Sequence, residues 1–384
     1  MLQKVDSSHQ CDLAKWTDEV VHWRLDPPRN KIKNKMIKYL GSKRRLVPIL
    51  GELFALSGAE SALDLFTGTT RVAQEFKRRG AYVTAVDIAS YSEVFAQCHI
   101  ATDATGIDKD ELQQSLEYLQ SLPPKHGYFT ETFCVKSHFF QPFNGERIDA
   151  IRDEIERAFK NTAFYPILLT SLIYAADKVD STTGVQMAYV KNWSPRSYRP
   201  LELLPPTLYP GKGRALKGDA TKIAKQLPKV DLAYLDPPYN QHRYFTNYHI
   251  WETLTRWDAP AFYGVACKRA DSKDPSTKSA FNSVREMPAS LSRLIEEVRA
   301  EVLILSYNNE SWITLADLIE MCSVKGEVEV LSFEQRRYVG AQIGIYNPNG
   351  DRVGKVSHLH NVEYVLVAGP KDVVSPMARM LTNS

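Results

Sequence analysis

Five residues in the second half of the chain, Leu235-Asp236-Pro237-Pro238-Tyr239, have types and spacing suited to chemistry on a flat ring. They follow the apolar run 230–235, which reads as a buried strand, so they fall at the carboxyl edge of a sheet, where ligands of such folds collect. Two prolines fix φ and remove two amide donors, leaving rigid carbonyls free to accept hydrogen bonds from outside the protein. Asp236 adds an ionised, acceptor-only group and Tyr239 a π-face. The guest that fits is an aromatic ring with an exocyclic NH₂: carboxylate and carbonyl accept its two protons while the tyrosine stacks on its face. Asp26-Pro27-Pro28 serves as an internal control, since it lacks both the preceding strand and the following aromatic, and it receives no role.

A second constellation is Asp64-Leu65-Phe66-Thr67-Gly68, with Asp87 about twenty residues later. One glycine is too few for a dinucleotide fingerprint, which needs three for the turn, the pyrophosphate and the helix packing. A nucleoside without pyrophosphate needs less: one glycine where backbone meets ligand, and a carboxylate at the next strand's end for ribose hydroxyls. Two readings fit these residues alone, that nucleoside site or an ordinary tight turn with a capping aspartate.

The elements that must position these groups follow from periodicity. Residues 61–66 read as a strand, 67–70 as a turn, 71–79 as a helix with Val72, Ala73 and Phe76 on one face, and 81–86 as a second strand ending at Asp87. Strand-helix-strand begins a parallel sheet. Helical spacing then dominates 109–122, 148–159 and 165–179, and strands resume at 211–219, 230–235, 301–306, 326–333 and 362–368. The expected organisation is an N-terminal arm over 1–30, a cofactor-binding part over 31–92, and a mostly helical insertion over 93–210. The pocket-bearing remainder of the sheet follows over 211–370, then a tail over 371–384. Residues 268–278, with alternating charges, Ser, Pro and Thr, read as an exposed, mobile loop.

Composition removes several classes. Of 384 residues, 43% are hydrophobic and 24% charged, which excludes disorder, and 48 Lys plus Arg against 45 Asp plus Glu give a charge of only +3, so a polyanion site must be local. The most positive window is 31–45, with seven basic residues and no acidic one; it fits either a phosphate track or a solvated surface. Apolar runs fall short of the roughly 18–20 residues that span a bilayer, and the start lacks a secretion signal's apolar core. A cytoplasmic protein without membrane contact is expected. Cys11, Cys98, Cys134, Cys267 and Cys322 stand singly, supporting neither a zinc pairing nor a disulfide framework; no metal is expected.

Lys38-Tyr39-Leu40-Gly41-Ser42-Lys43, Asp64-Leu65-Phe66-Thr67-Gly68 and Asp236-Pro237-Pro238-Tyr239, in that order, resemble the Dam-like (α-ordered) DNA adenine methyltransferases, a likeness running from about Lys38 to Val367. The resemblance implies an α/β fold, a Rossmann-like doubly wound S-adenosylmethionine-dependent methyltransferase sheet, with a mostly helical inserted target-recognition region. It implies S-adenosylmethionine as cofactor, with Tyr39 and Lys43 at its methionine end and Lys43 pairing with the carboxylate. Asp64, Phe66 and Gly68 match the cofactor loop, Asp87 the ribose acceptor, and Ile88 and Asp219 the contacts to the cofactor's adenine. Asp236, Pro237, Pro238 and Tyr239 match the target-base pocket. Thr70 departs from the pattern, standing where many relatives have a second glycine.

The expected reaction moves a methyl group to the 6-amino group of an adenine flipped out of double-stranded DNA. No Pro-Cys pair is present to supply the thiolate that cytosine carbon methylation needs. A restriction-modification role is expected, with a cognate endonuclease acting separately. The alternatives are the same pocket acting on structured RNA, and a DNA-binding module that keeps the fold without transfer. Intact Asp236, Tyr239, Gly68 and Asp87 speak against the module. For target recognition, residues 191–199, with Lys191, Asn192, Arg196 and Arg199, and the stretch around Arg336 and Arg337 offer donors for base edges, or else are solvated loops. Residues 306–309 are a further candidate pocket wall. His242, His249 and Trp251 read as helix packing.

Overall fold

In the computed structural model, residues 21–23, 37, 39, 43–238, 243–336 and 360–382 are described. Ten strands occur among them: β1 (Val21–Trp23), β2 (Ser61–Asp64), β3 (Tyr82–Asp87), β4 (Arg214–Lys217), β5 (Val230–Leu235), β6 (Phe262–Tyr263), β7 (Lys268–Arg269), β8 (Ala300–Asn308), β9 (Glu327–Arg336) and β10 (His360–Gly369). All but β6 and β7 join one sheet in the order β1-β9-β10-β8-β5-β2-β3-β4. Every pairing is parallel except those of β10, which runs antiparallel between β8 and β9. From β2 the chain steps outward through β3 and β4, then returns to lay β5 and β8 on the other side. The switch point of an α/β sheet therefore lies between β2 and β5, the crevice where ligands of such folds bind.

Period-2 alternation decides which residues face which layer. Ala62, Val83, Leu232, Tyr234, Val302, Ile304, Val365 and Val367 share one core with α1 (Val47–Leu56), α2 (Arg71–Arg78) and Val374 and Met377 of the final helix (Lys371–Thr382). Their neighbours Leu63, Ala233, Leu235, Leu303, Leu305 and Leu366 face the opposite core, built with later helices such as Met287–Glu297 and Leu315–Ser323. Covering on both faces explains why the parallel strands are nearly continuous apolar runs.

The helical insertion makes a third core. Helix α3 (Ser90–Ala96) leads into it, followed by α4 (Lys109–Ser121), α5 (Tyr128–Thr130), α6 (Pro142–Glu154) and α7 (Tyr165–Val179). Asp108 caps α4, accepting from the amides of Asp110 and Glu111 at 2.9 and 3.0 Å. Phe129, Phe133, Phe139 and Phe140 are buried together; at roughly 1.5–3 kcal/mol per buried ring, the insertion is cohesive. It is not a separate module. Helix α3 crosses the expected 92/93 boundary, and the same core takes in Tyr248, Trp251 and Leu254 from beyond β5. Buried Arg152 of α6 joins the two, donating to the carbonyls of Leu254 (2.7 Å) and Thr255 (3.1 Å).

Three expectations need correction. The supposed tail at 371–384 begins as the helix Lys371–Thr382, whose Val374 and Met377 are buried against the sheet. Within the supposed arm, Val21–Trp23 pair with β9, Val21 opposite Leu331. The supposed exposed loop at 268–278 begins as β7, and Arg269 is buried at 1% exposure. Its guanidinium bonds Asp258 and Asp271, both at 2.7 Å, while Arg256 pairs with the same two carboxylates at 3.0 and 2.9 Å. Alternating charges had suggested solvent throughout; Arg269 is instead buried against carboxylates, while Lys273, Asp274 and Lys278 are exposed as expected. Among the described residues no helix is long and apolar enough to cross a membrane.

Candidate active site

The turn after β2 is held by its own neighbours. Gly68 has φ +50°, its N–H donates to Asp87 Oδ2 at 2.8 Å, and a Cβ there would lie 3.1 Å from the Tyr39 ring. A side chain is therefore excluded twice, by backbone conformation and by the ring. The other Asp87 oxygen accepts from the Ala89 amide at 2.9 Å. Burial pushes the Asp87 carboxyl up, and the amides of Ala89, Gly68 and Ile88 work against that shift. Thr70, at φ +60°, occupies the left-handed conformation that a glycine adopts without strain. Its hydroxyl donates to Thr69 O (2.7 Å) and accepts from Gln74 Nε2 (2.8 Å), and it does not line the cavity.

Asp64, at the end of β2, is 1% exposed. Its Oδ2 accepts from the Thr67 hydroxyl at 3.0 Å, while its Oδ1 is buried with no hydrogen-bond partner among the described residues. Burial pushes its carboxyl up to about 7, against the Thr67 hydroxyl and with help from nearby Asp236. Tyr39 stands in a column of rings, stacked on Tyr248 (4.7 Å between centroids) and Tyr244 (5.3 Å), with Tyr248 on Trp251 (4.4 Å).

A cavity of about 330 Å³ opens at the switch point. Phe66, Asp87, Ile88 and Asp219 form one wall, and Asp236 and Pro238 another, with Tyr39 in contact with the same space. Pro237 is buried beside it. Asp219 caps the short helix Ala220–Ile223, accepting from Thr221 N at 3.0 Å. Asp236 Oδ1 lies 3.0 Å from Lys43 Nζ, and Lys43 is also ion-paired with Glu363 on β10. Burial pushes the Asp236 carboxyl up to about 6; Lys43 pulls it down and Glu363 pushes it up. Lys43, expected beside a cofactor carboxylate, is thus engaged by two carboxylates of the chain itself.

Several wall residues carried no sequence signal. Tyr244 and Phe245, just beyond the proline motif, add aromatic faces to the cavity. Glu252, buried at 2% exposure, accepts from the Ser90 amide (3.0 Å) and hydroxyl (2.6 Å), and Lys217 Nζ donates to that hydroxyl at 2.5 Å. Glu363 has the one signal that could have been used, a carboxylate in the apolar strand 362–368.

The remaining candidates divide. Tyr239, His242 and Arg337 lie outside the described residues, as do Lys31, Lys33, Lys35 and Lys38. Lys191, Asn192 and Arg199 are exposed on the loop after α7. Arg196 on that loop departs from the expectation of a base-reading side chain: its Nε donates to Asp180 O and its Nη2 to Thr182 O, both at 2.8 Å, and Nη2 is ion-paired with the Asp180 carboxylate. The charge is used to fasten the loop. Arg336 ends β9 opposite His360. Ser306 and Tyr307 are buried away from the cavity, Ser306 accepting from Tyr234 OH at 2.9 Å. His249 and Trp251 pack as expected, His249 bonding Gln186 O at 2.9 Å, with burial holding its ring down to about 3.

Comparison with known proteins gives a consistent picture. The model of the D12 class N6 adenine-specific DNA methyltransferases matches residues 39–317. Type II methyltransferase M.NlaIII of Neisseria lactamica is 31% identical over 318 residues, covering 79% of this chain and 92% of that protein. Modification methylase StsI of Streptococcus sanguinis is 30% identical over 324 residues, covering 79% of this chain and 49% of that longer protein. Type II methyltransferase M.CviAII of Paramecium bursaria Chlorella virus 1 is 27% identical over 321 residues, covering 79% and 92%.

Proposed function

Since the chain belongs to the D12 class N6 adenine-specific DNA methyltransferase family, we propose that the cavity between β2 and β5 is where a DNA adenine receives its methyl group, with S-adenosylmethionine as donor. The observation that carries this reading is that one cavity is walled by both sets of motif residues, Asp87, Ile88 and Asp219 on one side, Asp236 and Pro238 on the other.

The residues present fit the donor. Asp64 Oδ1, buried and without a partner among the described residues, suits the ammonium of the methionine end. Gly68 lets the turn pack against the Tyr39 ring that borders the cavity, and Asp87 keeps lone pairs for ribose hydroxyls. Phe66 and Ile88 offer apolar surface to an adenine, and Asp219 an acceptor to its edge. Bound there, S-adenosylmethionine supplies an electrophilic methyl group on a sulfonium.

The target amine is a weak nucleophile because its lone pair is conjugated into the ring. Asp236 and the Pro237 carbonyl, by accepting its two hydrogens, favour the pyramidal nitrogen on which that lone pair is localised. Tyr239 is the stacking face, and Tyr244 and Phe245 give the cavity further aromatic surface. Unstacking the base costs a few kcal/mol, offset by these contacts. Lys191, Asn192 and Arg199 are the contacts to DNA. The likeness to type II methyltransferases supports a restriction-modification role in the cytoplasm, alongside a separate cognate nuclease.

The test is incubation with labelled S-adenosylmethionine and either duplex DNA or structured RNA, followed by nucleoside analysis. N6-methyladenine in the DNA is expected, and methyladenosine in RNA alone would overturn the substrate. In the same assay Asp236→Ala lowers single-turnover transfer by about 10²- to 10³-fold, as for loss of one transition-state hydrogen bond, while donor affinity stays within about twofold. Joint loss of both would refute this division of roles.

A further inference from the structure

We propose that Glu363, on the antiparallel strand β10, is a positioning residue that holds Lys43 beside Asp236 and thereby keeps the Asp236 carboxylate available to the target amine. The assignment rests on reading Asp236 as the amine's acceptor.

Glu363 sits on a central strand, opposite Asn308 of β8 and Phe333 of β9, and is 7% exposed. It shares a strand face with Val365 and Val367, which pack on the layer of α1 and α2. An unpaired carboxylate buried there would cost several kcal/mol, so its partner matters. That partner is Lys43, itself 7% exposed, in the loop leading to α1, and the same ammonium reaches Asp236 Oδ1 at 3.0 Å. The contact joins segments 320 residues apart.

The charges around Asp236 explain what Glu363 adds. Among the described residues, the ionisable groups acting on Asp236 or acted on by it are Lys43, Glu363 on β10, Asp64 at the end of β2, and the Tyr234 phenol on β5. One ammonium therefore serves a cluster of carboxylates. Paired with Asp236 alone, Lys43 would occupy the oxygen that must accept from the amine, and charge-assisted hydrogen bonds of this kind are the strong ones. Drawn also toward Glu363, it supplies a counter-charge without monopolising that oxygen. Removing the Glu363 charge lets Lys43 settle on Asp236, so Asp236 binds its proton less tightly and its oxygen is less free.

The experiment is Glu363→Gln in the full chain, with two readouts. One is the pH dependence of single-turnover transfer to duplex DNA. The other, without donor or DNA, is a ¹³C NMR titration of the aspartate carboxyls, with the Asp236 signal assigned by its loss in Asp236→Asn. Wild type is expected to titrate near the value of about 6. In Glu363→Gln the carboxyl midpoint and the acid limb both move down by about one pH unit, a tenfold change in proton affinity. Transfer at pH 8 falls about tenfold, with donor affinity within about twofold. Glu363→Asp keeps the charge but draws it back by one methylene, so its midpoint falls between those of wild type and Glu363→Gln; should Glu363→Gln unfold, a lowered midpoint in Glu363→Asp supports the assignment and an unmoved one overturns it. A folded Glu363→Gln with a wild-type carboxyl midpoint overturns the assignment. So does a tenfold loss of donor affinity with an unmoved midpoint, which would assign the Lys43 pairing to the donor. A wild type that methylates no DNA adenine strikes at the preceding section's reading, whereas an active wild type indifferent to Glu363→Gln strikes at this assignment alone.

Discussion

Two aspartates, at the carboxyl ends of β3 and β5 with β2 between them, face the same cavity, and they are held in opposite ways. Asp87 is fixed by backbone amides from 19 residues before it and 2 residues after it, Gly68 and Ala89. Asp236 is held by Lys43, which comes from the far end of the chain and is shared with Glu363. The groups that hold Asp87 come from one strand-turn-helix-strand unit, and those that hold Asp236 from segments that meet only when the sheet is complete. Amides hold a carboxylate without a counter-charge; an ion pair holds it and also sets when it ionises.

Three substitutions sharpen or break that contrast. Lys43→Met should do most, because it leaves Asp236 and Glu363 facing each other without their shared cation. Loss of one partner of a buried pair costs about 3–5 kcal/mol. Without the ammonium that pulls it down, the buried Asp236 carboxyl rises further above the unfolded value of about 4, so the penalty is absent below that value and grows as pH rises through the folded one. Thermal unfolding at pH 8 and pH 5 checks this; equal losses at both would break the ion-pair account. Gly68→Ala comes next. Left-handed backbone costs about 1–2 kcal/mol in a residue with a Cβ, and the new methyl meets the Tyr39 ring at 3.1 Å. Donor affinity measured by calorimetry falls about tenfold, with the Asp236 titration unchanged; a moved titration would mean the two sides are not separable. Thr70→Gly is the smallest. It relieves a φ of +60° but removes two hydroxyl hydrogen bonds, at 2.7 and 2.8 Å, worth about 1 kcal/mol each. Denaturant unfolding should show a net loss within about 1 kcal/mol, and a larger loss would mean the hydroxyl outweighs the strain.

The same contrast governs what could be read from residues in order. The unit 61–87 was legible because its strands, turn and helix carry their periods locally, and α7 (Tyr165–Val179) matched its expected span for the same reason. Cavity residues inside motifs were legible too, from Phe66 and Asp87 to Asp236. Charged side chains with distant partners were not. Arg269 looked solvent-facing and is buried among carboxylates, Arg196 looked poised for a base and fastens its own loop to Asp180, and Glu363 looked like part of an ordinary strand. Each carries a charge whose meaning depends on what folds against it, and spacing along the chain does not encode that. Aromatic residues behaved likewise: Tyr244 reaches the cavity and stacks on Tyr39, far from it in order.

Strand β10 follows its two sheet neighbours in the chain, yet it lies between them. On the ribosome, β2, β3 and β4 can pair as soon as they emerge, while β8 and β9 wait with unfilled edges until residues 360–369 have been made. Glu363 comes with that last strand, so the set of charges around Asp236 is complete only once residues 360–369 are in place.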